Sequence, residues 1–330
     1  MGSMSRHLWV TALVLASVHT LAWAAELGPE QSEAKSHGIV LYNQHKAISA
    51  EPYLKIAAEA GDREAQYYLG EAIRFNKRYM TEEAEKWYTA AANQGDYYAM
   101  YQLSGKGSDL CNAMGNCPAG TKTAGEWLLQ GRETAKALAD KGDAEAMYVL
   151  HFLTNKDEWL EKSVAAGYPK AQWYLATMYR EGKGFFIFPG RRSDRIKELF
   201  KGSAEGGYPP AMLEYAGILR LEGNRDEGWR WIKKGAETGN AAIFSDYAYS
   251  YSDAENRWGT PVDYVKSYGL MSLLLELNGG GGMQVFVEGE LPRIASHLTS
   301  EEIDEAKKIG ADWKSTHPPL SFFPDKLGFW

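Results

Sequence analysis

Residue types that carry catalysis are sparse in this chain and stand far apart. The seven histidines are His7, His19, His37, His45, His151, His297 and His317. None belongs to a His-Glu-x-x-His zinc motif, and no Gly-x-Ser-x-Gly sequence presents a nucleophilic serine. The glycine run at 279–282 has neither the spacing nor the preceding strand of a phosphate-binding loop. The sequence therefore predicts no catalytic site, no cofactor and no metal site.

Two pairs of adjacent carboxylates could in principle serve acid–base chemistry. Glu82-Glu83 and Glu301-Glu302 each stand at the predicted start of a helix. Negative charge at that end complements the helix dipole. We interpret both pairs as helix-start residues on a solvated face.

The first 24 residues have the organisation of a secretory signal peptide. Arg6 supplies a positive start, residues 8–18 are apolar, and Ala22-Trp23-Ala24 is a small-x-small cleavage site. The mature chain is expected to begin at Ala25, in the periplasm. The apolar run is too short for a comfortable membrane span, and an uncleaved N-terminal anchor is the alternative. No later segment is long and apolar enough to span a membrane.

Export would place the two cysteines, Cys111 and Cys117, in an oxidising compartment. There they are expected to form a disulfide that closes a small loop. Two cysteines without nearby histidines cannot complete a tetrahedral zinc site. The chain carries a formal net charge of −7. This charge disfavours nucleic acid and anionic lipid as partners, and it suits a protein partner with a basic patch.

One sequence pattern recurs six times and predicts the fold. A helix end is followed by a glycine and then by the start of the next helix; the glycines are Gly61, Gly95, Gly142, Gly167, Gly207 and Gly239. Their separations of 34, 47, 25, 40 and 32 residues are typical of solenoids. Alanine stands four residues after the glycine in five copies, and leucine stands eight residues after it in four copies. Because positions four residues apart share a helix face, these side chains are expected to pack between helices.

Each glycine is expected to end a helix in the left-handed conformation that other residues avoid. One helix pair cannot bury its apolar face alone, so the copies must stack into an all-α solenoid. The predicted organisation is a signal peptide over 1–24, an N-terminal segment over 25–49, the repeats over 50–278, and a C-terminal part over 279–330. In that last part, a capping helix is expected from Ser300 to Lys314, followed by an extended tail from His317.

The repeated pattern resembles that of the Sel-like repeat family, which is related to tetratricopeptide repeats. Ala65-Gln66-Tyr67-Tyr68-Leu69-Gly70 is similar to the first half of the family pattern, and Ala84-Glu85-Lys86-Trp87-Tyr88-Thr89-Ala90-Ala91 to the second. A further copy runs from Ala171 through Gly182-Lys183-Gly184. The resemblance covers about residues 50–275 and implies a right-handed α/α superhelical solenoid. Such repeats are scaffolds, so the fold does not by itself assign a function.

Aromatic residues fall into a regular set and an irregular set. Tyr67, Tyr101, Tyr148 and Trp173 recur six residues after a glycine, and we expect such residues to form the core between repeats. Offsets of three, seven and ten residues define a different helix face. If the solenoid is curved, that face lines the concave side and presents aromatic rings among carboxylates. The candidate partner-binding residues on it are Tyr68, Glu71, Tyr174, Glu214, Asp246 and Tyr249, with an ordinary solvated surface as the alternative.

A second candidate is the loop Phe185-Phe186-Ile187-Phe188-Pro189, where the family usually has a short turn. Four large apolar residues on a loop indicate either a plug folded onto the solenoid or an exposed anchor for a partner. Phe185, Phe186 and Phe188 are therefore added to the candidate partner-binding residues. The cysteine loop is another surface that could contact a partner.

The resemblance also implies a class of function. Sel-like repeat proteins with cleavable signals include inhibitors of phospholipase toxins delivered by type VI secretion. We therefore expect a periplasmic, non-enzymatic immunity protein that occludes a secreted phospholipase or lipase effector bearing a basic patch. One alternative is an envelope regulator or assembly scaffold that restrains a sensor kinase or organises polysaccharide export. Another is a hydrolase of cell-wall or β-lactam substrates, for which the sequence has no motif.

Overall fold

The computed structural model of the chain describes residues 26–278, 281–324 and 326–327. The expected signal peptide, residues 1–24, lies outside these described residues. Within them, no helix has both the length and the apolar character that a membrane crossing requires.

The regular secondary structure of the described chain is almost entirely α-helical. Their bounds are α1 Pro29–Asn43, α2 Ala47–Glu59, α3 Arg63–Lys77, α4 Glu82–Asn93, α5 Tyr97–Ser104, α6 Leu110–Met114, α7 Ala124–Ala139, α8 Ala144–Thr154, α9 Asp157–Ala165, α10 Pro169–Arg180, α11 Arg191–Glu205, α12 Pro209–Leu221, α13 Arg225–Ala236, α14 Ala241–Tyr249, α15 Tyr264–Leu275, α16 Gly281–Ala295 and α17 Ser300–Thr316. A 3-10 turn at Gly105–Ser108 separates α5 from α6. The predicted all-α class is confirmed.

Consecutive helices pack as pairs, and each pair packs on the next. The pairs are α1 with α2, α3 with α4, α5 with α7, α8 with α9, α10 with α11 and α12 with α13. The second helix of each pair also contacts the first helix of the next one. First helices are neighbours too, since α1 contacts α3, α5 contacts α8, and α12 contacts α14. The fold is therefore a superhelical solenoid with the first helices on its inner side.

The six repeated glycines set the turn between one pair and the next. All six have positive φ angles: 93° at Gly61, 86° at Gly95, 94° at Gly142, 81° at Gly167, 89° at Gly207 and 80° at Gly239. In the first copy the Gly61 amide donates to Ala58 and the Asp62 amide donates to Ala57. These two bonds form a Schellman motif, which satisfies the carbonyls at the helix end. The predicted role of the glycines is confirmed.

The residue after the glycine starts the next helix in one of two ways. Asp62, Asp96 and Asp143 each accept a hydrogen bond from the amide of the alanine three residues on, at 2.7, 2.9 and 2.9 Å. This is the N-cap interaction that satisfies a free helix donor. In α10 and α12 a proline occupies the first turn instead, where its missing N–H leaves no bond unmade.

The residues that form the core stand at fixed offsets from the repeated glycines. The alanines at offset four are fully buried, and so is Ile243, which replaces alanine in the last copy. Small side chains there let neighbouring helices approach closely. Tyr67 and Tyr148 are 1% exposed, while Tyr101 and Trp173 are half-buried against the same core. The expected core role of this aromatic set is therefore confirmed.

Both ends of the solenoid hold a helix that the sequence pattern does not reveal. Residues 25–49, expected as a separate segment, contain α1 and the start of α2, and these helices pack as a pair. At the other end, α16 begins at Gly281, inside the glycine run, and packs on α15. The last helix, α17, was predicted, and Thr299 caps it in a capping box with Glu302.

The C-terminal tail connects the last repeat to the first pair. The amide of Ser321 donates to the carbonyl of Gly239, and the Ala241 amide donates to the carbonyl of Ser321, both at 2.9 Å. The amide of Phe322 then donates to the carbonyl of Asn43 at 2.8 Å. One short segment thus contacts both ends of the repeat array, so the solenoid curls through most of a turn.

Gly95→Ala should lower the free energy of unfolding by about 1–2 kcal/mol, because a side chain disfavours the left-handed conformation. No atom lies within 4 Å of a Cβ built at Gly95, so the cost is conformational and not steric. Urea denaturation would measure it. Gly125→Ala on α7 is the control, since that glycine is helical and its Cβ also meets open space. Equal stability of the two variants would contradict the assigned role.

Candidate protein-binding surfaces

Glu71 of α3 lies in the interior and not on an exposed face. It is 6% exposed, and its two carboxylate oxygens accept hydrogen bonds from the Tyr88 hydroxyl at 2.7 Å and the Tyr42 hydroxyl at 3.0 Å. Tyr42 comes from α1, which covers this side of α3. The expectation of an exposed Glu71 is wrong, because the sequence pattern did not reveal the helix that packs over it.

Burial also changes the acidity of this carboxyl. Desolvation raises the pKa of Glu71 above its ordinary value, against the opposing effects of the Tyr88 hydrogen bond and the Arg74 charge. Arg74 itself donates to Gln102 at 2.7 Å and to Asp109 at 3.0 Å. Glu71 is thus the centre of a buried polar network that joins α1, α3 and α4.

Tyr68 is also more buried than expected, at 8% exposed. Its ring packs edge-on against Tyr42 and Tyr67, with centroid distances of 5.2 and 5.4 Å. On its remaining side lies the ammonium group of Lys326 from the C-terminal tail, 5.3 Å from the ring centroid. The inner face of α3 is therefore covered by the protein's own tail.

Tyr174 and Glu214 lie further along the inner helices and are half-buried. The Tyr174 ring packs against Phe152 and Tyr148, at centroid distances of 5.3 and 6.0 Å. Glu214 of α12 forms an ion pair with Arg180 of α10. Both retain accessible surface, so they remain candidates for contact with a partner.

Asp246 and Tyr249 on α14 lie among arginines. Burial raises the pKa of the Asp246 carboxyl, and the nearby Arg257 and Arg220 oppose that rise. The Tyr249 ring lies 5.3 Å from the Arg257 guanidinium and 5.9 Å from that of Arg293. This end of the inner face therefore carries arginines in addition to the aromatic rings and carboxylates that the sequence indicated.

The loop between α10 and α11 contains the most exposed apolar side chains of the predicted set. Phe185, Ile187 and Phe188 are 88%, 75% and 67% exposed. Phe186 instead folds back, edge-on to Tyr179 at 5.0 Å between centroids. The two sequence interpretations thus apply to different residues: Phe186 is the plug, and its three neighbours project into solvent.

Arg192 holds this loop in place. Its guanidinium donates to the carbonyls of Tyr179 at 2.8 Å, Lys183 at 2.6 Å and Gly184 at 2.9 Å. It also lies over the Phe186 ring, 4.8 Å from the centroid. Sequence analysis missed this residue, because nothing in the sequence distinguishes it from Arg191. A loop fixed in this way loses little conformational entropy when a partner binds.

The cysteine loop is held just as firmly. Cys111 and Cys117 form the predicted disulfide. The ammonium group of Lys106, which is largely buried, donates to Glu85 and to the carbonyl of Pro118, both at 2.8 Å. An ion pair removed from water in this way fixes the loop against α4. Within the described ranges, no cluster of three or more His, Cys, Asp or Glu could hold a metal ion.

No family model matches this chain, and no match was found among curated proteins. Solved structures do match. In fold, the chain is similar to Sel1-repeat proteins. A protective antigen of uropathogenic Escherichia coli with an SLR fold is 19% identical, with a TM-score of 0.47; the match covers 88% of this chain and 62% of that one. A Sel1 repeat protein from Oxalobacter formigenes is 21% identical, with a TM-score of 0.39, over 75% of this chain and 97% of that one.

An immunity protein from Pseudomonas aeruginosa is 16% identical, with a TM-score of 0.43, over 66% of this chain and 82% of that one. The chain spans 62% of the length of the E. coli antigen, which is less than two thirds of it. Because these TM-scores are below 0.5, the fold assignment rests on the helix pairs and glycine turns of this chain itself.

Glu71→Gln should make stability less dependent on pH. The raised pKa means that the folded protein keeps this proton to a higher pH than the unfolded chain does. The stability that Glu71 contributes is therefore full below the ordinary value of 4.5 and is lost as the pH rises through the folded pKa. The free energy of unfolding of the variant, relative to the native protein, should rise from pH 4.5 to 7 in urea titrations.

The matched control for this pH series is Glu305→Gln, which changes an exposed carboxylate on α17. Its stability relative to the native protein should stay nearly constant over the same range. A flat difference for Glu71→Gln as well would show that Glu71 is not desolvated as described.

Arg192→Ala should release the loop that carries Phe185 and Phe188. Loss of three charge-assisted hydrogen bonds should speed chymotrypsin cleavage after these phenylalanines by about tenfold, which corresponds to about 1.4 kcal/mol of local stability. Arg191→Ala, an exposed neighbour with the same charge, should leave the cleavage rate unchanged. Equal rates for the two variants would mean that Arg192 does not hold the loop.

Proposed function

We propose that this protein binds another protein through the loop at Phe185–Phe188 and the adjacent inner helix face. The observation that carries the proposal is the exposure of three large apolar side chains on a loop fixed by Arg192. Burying them on a partner would remove their apolar surface from water, a stabilisation that the folded protein alone does not obtain. Because the loop is already ordered, little of that energy is lost on binding.

The charge of the chain supports a basic partner. The formal net charge is −7, and Glu64, Glu214 and Asp143 retain accessible surface on the first helices and their caps. Complementary charge would steer a positively charged partner toward the inner side and increase its association rate. Aromatic residues such as Tyr174, at the same face, supply the side-chain type that most often anchors a protein interface.

We further propose that the partner is a secreted phospholipase or lipase toxin and that the protein acts as its periplasmic immunity protein. The resemblance of the repeat pattern to Sel-like repeat proteins motivates this identity, and the signal-like first 24 residues with the disulfide fit an exported protein. In this mechanism the projecting phenylalanines enter the apolar mouth of the lipase site. The solenoid then excludes lipid, and no catalytic group of the inhibitor is needed.

The test uses a secreted lipase encoded beside this gene. The purified protein should abolish its hydrolysis of phospholipid vesicles at a one-to-one ratio. Phe185→Ser with Phe188→Ser should raise the half-inhibiting concentration at least about tenfold, which is the cost of losing one interface hot spot of about 1.4 kcal/mol.

Leu221→Ser is the matched control, because Leu221 is also an exposed apolar residue, at 79%, but lies on α12. This variant should inhibit as well as the native protein. Equal inhibition by the double phenylalanine variant would remove the loop from the interface. No inhibition of the lipase by the native protein would refute the immunity role.

A further inference from the structure

The C-terminal tail does more than join the ends of the solenoid. Ser321 forms the connection to Gly239 described above, and the carbonyl of Leu320 accepts a hydrogen bond from the Gln44 side chain at 2.8 Å. Leu320 and Ser321 are 9% and 2% exposed. After an exposed Phe323, the chain reaches the inner face of α3 and α5, where Leu327 is 4% exposed. The tail therefore has two separate attachments: a strap at residues 320–322 and a second contact at 326–327.

The second contact is centred on the ammonium group of Lys326. Its Nζ lies 5.7, 5.3 and 5.4 Å from the ring centroids of Tyr67, Tyr68 and Tyr98. Three aromatic faces around one cation form an aromatic cage, the arrangement proteins use to bind ammonium groups. We refer to these three tyrosines as the tyrosine cage.

Carboxylates surround the tyrosine cage. Glu64 lies 3.6 Å from Lys326 Nζ, and Asp96 is close enough for the charge of Lys326 to counteract the rise in the Asp96 pKa that burial causes. Glu145 accepts a hydrogen bond of 2.6 Å from the Tyr98 hydroxyl. Without a cation in the cage, these negative charges would face one another around an apolar space.

The cage also binds the backbone of the segment that carries the lysine. The carbonyl of Lys326 accepts hydrogen bonds from the Tyr67 hydroxyl at 2.7 Å and from the Gln102 amide at 3.0 Å. Side chains from α3 and α5 thus bind both the cationic side chain and the carbonyl of one residue. Lys326 lies in a turn with Leu327, which is 4% exposed, so the second contact holds a lysine and the apolar residue that follows it.

We propose that the tyrosine cage is a binding site for a lysine on a polypeptide segment of a partner, and that the protein's own tail occupies it until that segment displaces Lys326. The strap at residues 320–322 makes its own hydrogen bonds to Gly239 and Asn43. Residues 326–327 can therefore leave the inner face while the strap stays bound. A tethered tail competes at an effective concentration on the order of millimolar, so it blocks weak ligands and yields to tight ones.

The probe is a fluorescent peptide with the sequence of residues 317–330, and its binding to the full protein is measured by fluorescence anisotropy. Lys326→Glu should open the cage, because its new charge is repelled by Glu64 and Asp96. The variant should bind the peptide at least about tenfold more tightly than the native protein, whose cage is filled. A second peptide, with alanine in place of its lysine, should not bind.

Lys307→Glu on α17 is the matched control, because it reverses a charge at an exposed position and should leave the cage filled. Hydrogen exchange of the C-terminal peptides should become faster in Lys326→Glu only. Unchanged exchange in that variant, or equal binding of the two peptides, would overturn the proposal. If circular dichroism shows that Lys326→Glu does not fold, Lys326→Ala takes its place under the same criteria.

This inference is independent of the proposed function. The peptide experiment uses no toxin, so its outcome does not depend on whether a lipase is inhibited. Conversely, loss of inhibition in the double phenylalanine variant would not alter the occupancy of the cage.

Discussion

The left-handed glycine at the end of each repeat is the constraint on which this structure depends. A helix that ends in a Schellman motif directs the next one away at a fixed angle. Five such turns, from Gly61 to Gly207, determine the path of the solenoid together with a sixth left-handed glycine, Gly239, after which the Asn240 amide donates to the Thr238 hydroxyl instead. The alanine four residues later then decides how closely successive helices approach. Because each repeat contacts only its neighbours, small departures from the pattern are tolerated locally and change the curvature of the whole.

Three segments depart from the repeat pattern, and a cationic side chain holds each of them in place. Arg192 donates to three carbonyls beneath the phenylalanine loop. Lys106 joins the disulfide loop to Glu85, and Lys326 joins the tail to the tyrosine cage. In each case one long cationic side chain meets several acceptors or rings, because an irregular loop has backbone groups that no helix satisfies. The same irregular segments supply the candidate binding surfaces, as is common for loops on a rigid scaffold.

The inner face is divided between two environments. Around α3 and α5 it is aromatic and acidic and is covered by the tail, while around α14 the arginines Arg257 and Arg293 balance the carboxylates. A partner that contacts the whole inner side would meet both. The phenylalanine loop, between α10 and α11, lies in neither of these two environments. It therefore remains exposed when the tail is bound.

The sequence by itself determined the repeat. The glycine spacing, the caps at Asp62 and its counterparts, and the buried alanines all follow from local rules that act within one turn of helix. It also indicated the disulfide and an unusual apolar loop at residues 185–189, but it left open whether that loop is folded back or exposed. Only the tertiary structure decided that Glu71 is buried, because Tyr42 reaches it from a helix outside the pattern. It also decided that Lys326 lies against Tyr68, 258 residues away along the chain. Tyr98 and Gln102 stand three and seven residues after Gly95, at offsets that define the inner helix face, so the sequence pattern included them. Their ligand came from the tail, and contacts between such distant segments depend on the accumulated curvature of all the repeats, which no local pattern specifies.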